Sequence, residues 1–255
     1  MCAPLRAKCE VTIERGFRPF GNLSKGRIDI KDDRSNIQFM TTEAHHTDVR
    51  KIRRPGRPPK VDRENFETRA ALIRCGTEVF TEQGFMATGI DYILKQVGVP
   101  KGSFYHYFES KEAFGRAVLD NYAEYFAQML DRWLLNETLT PLERLVGFVQ
   151  NAKAGMARHD YRRGCMVGNL GQEVGMLPEG FRETLETIFV AWQARLSQCL
   201  RAAQRAGELA RDADCDELAA FFWIGWEGAV LRARLVKSDV PLNTFISGFL
   251  RGLPQ

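Results

Sequence analysis

Long hydrophobic runs are missing from this chain of 255 residues. No uncharged apolar stretch approaches the ~18–20 residues of a membrane span, and the most apolar segment, Ala219–Gly225, is soon interrupted by Glu227. The opening residues, MCAPLRAKCEVTIERGF, hold no continuous apolar core, so no secretory signal is read there. Closely paired cysteines are missing too. Cys2, Cys9, Cys75, Cys165, Cys199 and Cys215 stand far apart with no CxxC or His-flanked pair, which favours free thiols over disulfides or zinc ligands. With 22 Gly and 10 Pro the chain is too poor in both to be fibrous or of low complexity. No phosphate loop, nucleophile elbow or metal-spaced cluster occurs, so neither cofactor nor metal is expected. No segment alternates with period two, which excludes a sheet. What remains, 44% hydrophobic and 27% charged, is ordinary folded usage, and a soluble cytoplasmic protein is expected.

The net charge of +4 is unevenly spread. Residues 1–115 carry 20 Lys/Arg against 15 Asp/Glu, whereas residues 116–255 carry 16 against 17. Arg50–Lys60 alone holds six basic residues and no acidic one. Such a block suits either a solvated tail or nucleic-acid phosphate. Residues 1–60 lack sustained periodicity and are expected to be a disordered, basic N-terminal segment, with Pro55, Pro58 and Pro59 stiffening its end. Met40 offers an alternative start that would shorten this segment, and His45-His46 reads as surface decoration.

After Lys60 helical periodicity is nearly unbroken, and the expected fold is all-α. The first helix is expected over about Arg63–Gln83, with Leu72, Cys75, Gly76, Val79 and Phe80 on one face. Thr88 is the expected N-cap of a second, Gly98-Val99 a turn, and Pro100 the start of a third ending near Phe108. Ser110 should cap a long helix through about Leu135, and Thr140-Pro141-Leu142-Glu143 reads as a capping box. Further helices are expected from Cys165 to about Val174, from Pro178 to about Gly207, from Asp214 to about Ser238 and from Pro241 to about Gly252.

Three helices within about 45 residues make a helix-turn-helix candidate, spanning about 61–109. The third is the informative one. Phe104 and Phe108 lie one turn apart and share the core face, which leaves Lys101, Gly102, Ser103, Tyr105 and His106 outward. An ordinary solvated helix would expose Lys and Glu there. Gly102 and Ser103 instead permit close backbone approach, Lys101 supplies charge, and Tyr105 and His106 supply hydrogen bonds with aromatic bulk. Those parts suit a helix laid in the major groove.

At these residues the chain resembles the TetR/AcrR family of one-component bacterial transcriptional repressors. The likeness runs from about Glu67 to Phe114: an amphipathic first helix, Gly84-Phe85, Thr88, Gly98-Val99, then KGSFYHYFESKEAF. The resemblance implies an all-helical homodimer that binds a palindromic operator in double-stranded DNA and is released by a small-molecule inducer. It also implies phosphate contacts at Thr88 and Gly89, recognition by Lys101, Gly102, Ser103, Tyr105 and His106, and a backbone grip by Tyr107 and Lys111. Residues 110–255 would then bind effector and dimerise. There, RRGCMVGNLGQEVG and FWIGWEGAVLRARL are similar to the subgroup containing the acrylate-utilisation regulator and the N-ethylmaleimide reductase repressor. That likeness implies control by electrophilic or acrylate-like molecules.

Cys165 follows Arg162 and Arg163 at a helix start, a setting that favours thiolate, and is the candidate sensor; a helix-packing cysteine is the plainer alternative. Asn169 and Glu173 share its helix face and are expected to line a pocket with Trp192 and Trp223. Phe222, Gly225, Trp226, Ala229, Phe245 and Phe249 combine small and bulky apolar residues, and are expected to form a four-helix dimer interface. An enzyme is the contrasting class, but Cys165 with His159 and no orienting third group is weak support for catalysis. A purely architectural DNA-binding protein is disfavoured by the ~140 residues that follow the helix-turn-helix.

Overall fold

Every regular element in the computed structural model is a helix among the described residues, which are 60–255 for the backbone and 65–255 for side chains. The expected basic segment at 1–60, with its arm at 50–60, lies outside them apart from Lys60. In chain order the elements are α1 (Lys60–Gln83), α2 (Ile90–Val97), a 3₁₀ helix (Lys101–His106), α3 (Lys111–Leu134), α4 (Pro141–Arg158), α5 (Met166–Gln172), α6 (Phe181–Arg205), α7 (Cys215–Val236) and α8 (Val240–Gly252).

Local chemistry explains most of the boundaries. Ser110 Oγ accepts from Ala113 N–H at 3.0 Å and starts α3. Thr140 N–H donates to Glu143 Oε2 at 2.9 Å, half of the expected capping box at α4. Asp214 Oδ1 accepts from Asp216 N and Glu217 N, both at 3.0 Å, and opens α7. Such caps are each worth ~1 kcal/mol. Four expectations are corrected. Thr88 does not cap α2: its buried hydroxyl donates to Gly84 O at 2.6 Å, and Gly89 takes the cap position in extended conformation. The third helix is 3₁₀, because bonds such as Tyr107 N to Phe104 O at 2.9 Å run back three positions instead of four, the usual form of so short a piece. The helix after Cys165 stops at Gln172, two residues early, and α6 starts at Phe181 behind a left-handed Gly180 instead of at Pro178.

The apolar faces form one continuous core with two lobes. Around α1, α2 and the 3₁₀ helix, Leu72, Phe80, Ile93 and Leu94 enclose Phe104 and Phe108, whose rings meet Phe114 of α3 at 5.8 and 4.9 Å. Phe114 so ties the first three helices to the long α3. The second lobe lies among α3, α4, α6, α7 and α8. There Phe126 meets Trp192 at 4.2 Å, Trp192 meets Trp223 at 5.1 Å, and Phe222 stacks on Trp226 at 5.9 Å. Each such side chain contributes about 1.5–3 kcal/mol through burial, and aromatic pairs slightly more. Among the described residues no helix is long and apolar enough to cross a membrane.

Candidate nucleic-acid interface and the helix behind it

With its two phenylalanines buried, the 3₁₀ helix turns the rest of its residues outward. Lys101, Gly102, Tyr105 and His106 are exposed, Tyr105 by 69%, and Ser103 and Tyr107 are half-buried. A Cβ added at Gly89 or Gly102 would meet no atom of the chain, so neither glycine is required by internal packing. Lys101 Nζ pairs with Asp91 Oδ2 of α2 at 2.8 Å, and that hydrogen bond, with the charge behind it, holds the ammonium's pKa above its usual value. Lys111 behaves differently. Its ammonium lies 4.5 Å over the Phe85 ring and 3.5 Å from Met86 O, and partial burial lowers its pKa. Thr88 turns its side chain inward, so only its backbone can reach an external phosphate.

The expected effector pocket divides into two groups. Trp192 and Trp223 belong to the aromatic core. Asn169 and Glu173 instead reach the first helices. Asn169 Nδ2 donates to Thr81 O of α1 at 2.7 Å, and its Oδ1 accepts from Arg234 Nη1 of α7 at 2.6 Å. Arg234 Nη2 also donates to Glu82 O at 3.1 Å. Glu173 Oε2 accepts from Phe85 N at 2.9 Å and from Met86 N at 3.1 Å, so one carboxylate caps the α1–α2 turn. Gly84, at φ +86°, makes that turn, and a Cβ there would collide with the Glu173 carboxylate. Adjacent backbone N–H groups around such a residue form an anion-binding concavity, here filled by the chain's own carboxylate.

Cys165 sits at the opposite end of α5, and its setting reverses the expectation of a thiolate. Arg163 is spent on α1, with Nε 2.8 Å from Glu82 Oε1 and Nη2 3.2 Å from Glu78 Oε2. Asp160 and Tyr161 just before it both take positive φ, 50° and 56°, a strain of about 1–3 kcal/mol each. The Cys165 side chain is only 7% exposed, and its sulfur accepts from Gly168 N at 3.4 Å. Burial first, and the charge of Glu227 second, push its pKa well above the usual thiol value. Tyr122, whose hydroxyl accepts from Met166 N at 3.3 Å, and Glu227, whose carboxylate lies against Gly168, are its polar neighbours. Sequence reasoning missed Glu227 as a site residue, although an acid deep in an apolar stretch of α7, on one face with Trp223, was a readable signal.

The expected dimer residues are also placed differently. Phe222, Trp226, Ala229 and Phe249 are buried within one chain. A Cβ at Gly225 would collide with the Phe245 ring, so this glycine lets α8 close on α7. The outer face of α7 is a separate apolar row, Phe221, Ile224, Leu231 and Leu235, with Ile224 74% exposed.

A helix-turn-helix whose short third segment displays a small, basic and aromatic surface is the architecture of a DNA-binding regulator, and a larger set of helices stands behind it. The sequence profile "Bacterial regulatory proteins, tetR family" matches residues 72–118, and "Tetracyclin repressor-like, C-terminal domain" matches 141–249. The chain is 52% identical over 181 residues to the transcriptional regulator AcuR of Cereibacter sphaeroides, covering 71% of this chain and 83% of AcuR. It is 31% identical to the repressor NemR of Escherichia coli K12, covering 71% of this chain and 91% of NemR. A crystal structure of a regulatory protein TetR from Rhodobacter sphaeroides superposes with a TM-score of 0.71 at 51% identity, covering 73% of this chain and 98% of that one. The chain belongs to the TetR family and is a DNA-binding transcriptional repressor. The resemblance read from KGSFYHYFESKEAF and RRGCMVGNLGQEVG is thus borne out.

Proposed function

We propose that the protein represses transcription as a cytoplasmic homodimer on a palindromic operator and leaves it when a small electrophilic or acrylate-like inducer acts at Cys165. Residues 61–109 serve as the DNA-binding domain and 110–255 as the effector-binding and dimerisation domain. Lys101, Gly102, Ser103, Tyr105 and His106 read the major groove, while Gly89, the Thr88 backbone, Tyr107 and Lys111 meet phosphate. The open space around Gly89 and Gly102 is compatible with this, since the bare backbone there can be approached closely from outside. The outer row of α7 supports a self-association face, because a contiguous exposed apolar row marks an interface. Two recognition segments must then fit successive major grooves, about 34–36 Å apart.

One observation carries the regulatory reading. The seven-residue α5 has Cys165 at one end and, at the other, Glu173 bound to the α1–α2 turn. A change at the thiol therefore bears on the DNA-reading helices through one short rigid element. The inducer's leverage equals its differential affinity for the two arrangements. Burial of Cys165 favours a second reading, reversible ligand binding with Cys165 structural. Fluorescence anisotropy on DNA upstream of the coding sequence tests both, with and without N-ethylmaleimide or acrylate. Release by maleimide that is lost in Cys165→Ser supports the covalent reading. Release that persists in Cys165→Ser supports the reversible one, and indifference to both compounds refutes induction at this site.

A further inference from the structure

A thiol as buried as Cys165 is almost wholly protonated near neutral pH, and thiolate is the nucleophile. Ionising it in place would set a second negative charge beside the Glu227 carboxylate, away from water. Some group must therefore remove the proton as the sulfur reacts. Glu227 is placed for this. Its carboxylate presses on Gly168, one turn into α5, so closely that a Cβ there would collide with it, and Cys165 Cβ lies 3.7 Å from that same point. Two buried polar side-chain atoms of α7 have no partner among the described residues. They are Glu227 Oε1 and, one turn earlier on α7, Nε1 of the almost fully buried Trp223. A buried unpaired carboxyl oxygen and indole N–H each cost stability, which a purely structural core would have avoided.

We propose that Glu227 is the general base that activates Cys165 toward activated alkenes, the α,β-unsaturated carbonyl class. This rests on the reading of Cys165 as the point where the inducer acts. As Sγ bonds the β-carbon, its proton passes to Glu227 and the alkene π-pair moves onto the carbonyl oxygen as an enolate. Glu227 then returns the proton to the α-carbon. The net change is addition of S–H across C=C, with no leaving group and no oxidant or reductant. One further group bears on the proton balance. Tyr122 of α3 faces both Cys165 and Glu227, and no cationic side chain contributes to the surroundings of Glu227, whose pKa burial raises to about 7.

The test is adduct formation at Cys165 by N-ethylmaleimide, followed by peptide mass spectrometry from pH 5 to pH 10 on the full-length protein without DNA. The wild type should gain rate as Glu227 ionises near pH 7 and then level off. Glu227→Gln should react ~10²-fold or more slowly, the usual worth of a positioned base, and should follow the thiol's own ionisation at high pH. Half-buried Cys75 is the internal control, and its rate should not change. Near-ultraviolet circular dichroism establishes that the variant is folded, and Glu227→Asp, which keeps the carboxylate, should restore part of the rate. If Glu227→Gln matches the wild type in rate and profile, the base role is overturned while covalent induction stands. If Cys165 of the wild type does not react at all, both fall.

Discussion

The proposed DNA-reading surface and the proposed regulatory site are built on opposite plans. The first is nearly contiguous: Lys101 to Tyr107 supply most of its chemistry, and two buried phenylalanines four residues apart orient the rest. The second is assembled from Tyr122, Cys165, Asn169, Glu173, Glu227 and Arg234, which α3, α5 and α7 bring together over more than a hundred residues. A contiguous surface can tolerate a changed partner without changing its support. An assembled one cannot, because each contact also holds the fold. Substitutions in the two regions should therefore separate binding from stability in opposite ways.

The largest effect belongs to the second plan. Trp226→Arg, in the stacked Phe222–Trp226 pair, should destabilise the chain by about 3–5 kcal/mol in urea unfolding, since it buries a charge without a partner. Ile224→Arg, two residues away on the outer row of α7, should leave stability unchanged and yield monomers in sedimentation. If Trp226→Arg folds normally as a monomer, the buried side of α7 has been misassigned. Next is the pH response. The Glu227 carboxyl binds its proton more tightly folded than unfolded, so its stabilisation is complete below about pH 4.5 and is lost as pH rises through about 7. At about 1.4 kcal/mol per pH unit that is roughly 3 kcal/mol, and Glu227→Gln should remove most of the difference between unfolding curves at pH 5 and pH 8.

The contiguous surface should show the converse. Tyr105→Ala should weaken operator binding on the order of 10–100-fold per half-site, from a contact worth ~1–3 kcal/mol, with the melting temperature unchanged. The smallest effect is expected at Asp91→Asn. Losing an exposed pair with Lys101 should leave stability alone, while removing one negative charge from the DNA-facing side tightens non-specific binding, most at low salt. Equal stability losses in Tyr105→Ala and Trp226→Arg would erase the distinction between the two plans.

The same contrast governs what could be read before any coordinates. Periodicity and caps placed α1, α3, α4, α7 and α8 to within a few residues, because Ser110, Thr140 and Asp214 act on their own neighbours. The outward set on the 3₁₀ helix was legible because Phe104 and Phe108 fix its orientation locally. Tertiary choices were not legible. Spacing placed Asn169 and Glu173 on the face of Cys165 but could not reveal that this face meets α1 instead of Trp192 and Trp223. Arg163 was read as a partner of the thiol because it is two residues away, whereas Glu78 and Glu82 claim it from across the fold. Small and bulky residues on α7 signalled close packing correctly, yet the partner is α8 of the same chain, as Gly225 against Phe245 makes plain.

The central claim is that α5 carries the state of Cys165 to the DNA-reading helices through Asn169 and Glu173. Operator affinity before and after N-ethylmaleimide treatment tests it most directly, in the wild type and in Asn169→Ala/Glu173→Ala, with adduct formation at Cys165 followed in both. The account predicts that both proteins form the adduct at the same rate. The affinity ratio should be about 5–150-fold in the wild type, the usual range of coupling between sites, and fall toward one in the double variant. An undiminished ratio in the double variant would contradict it, and would route the signal through α3 alone.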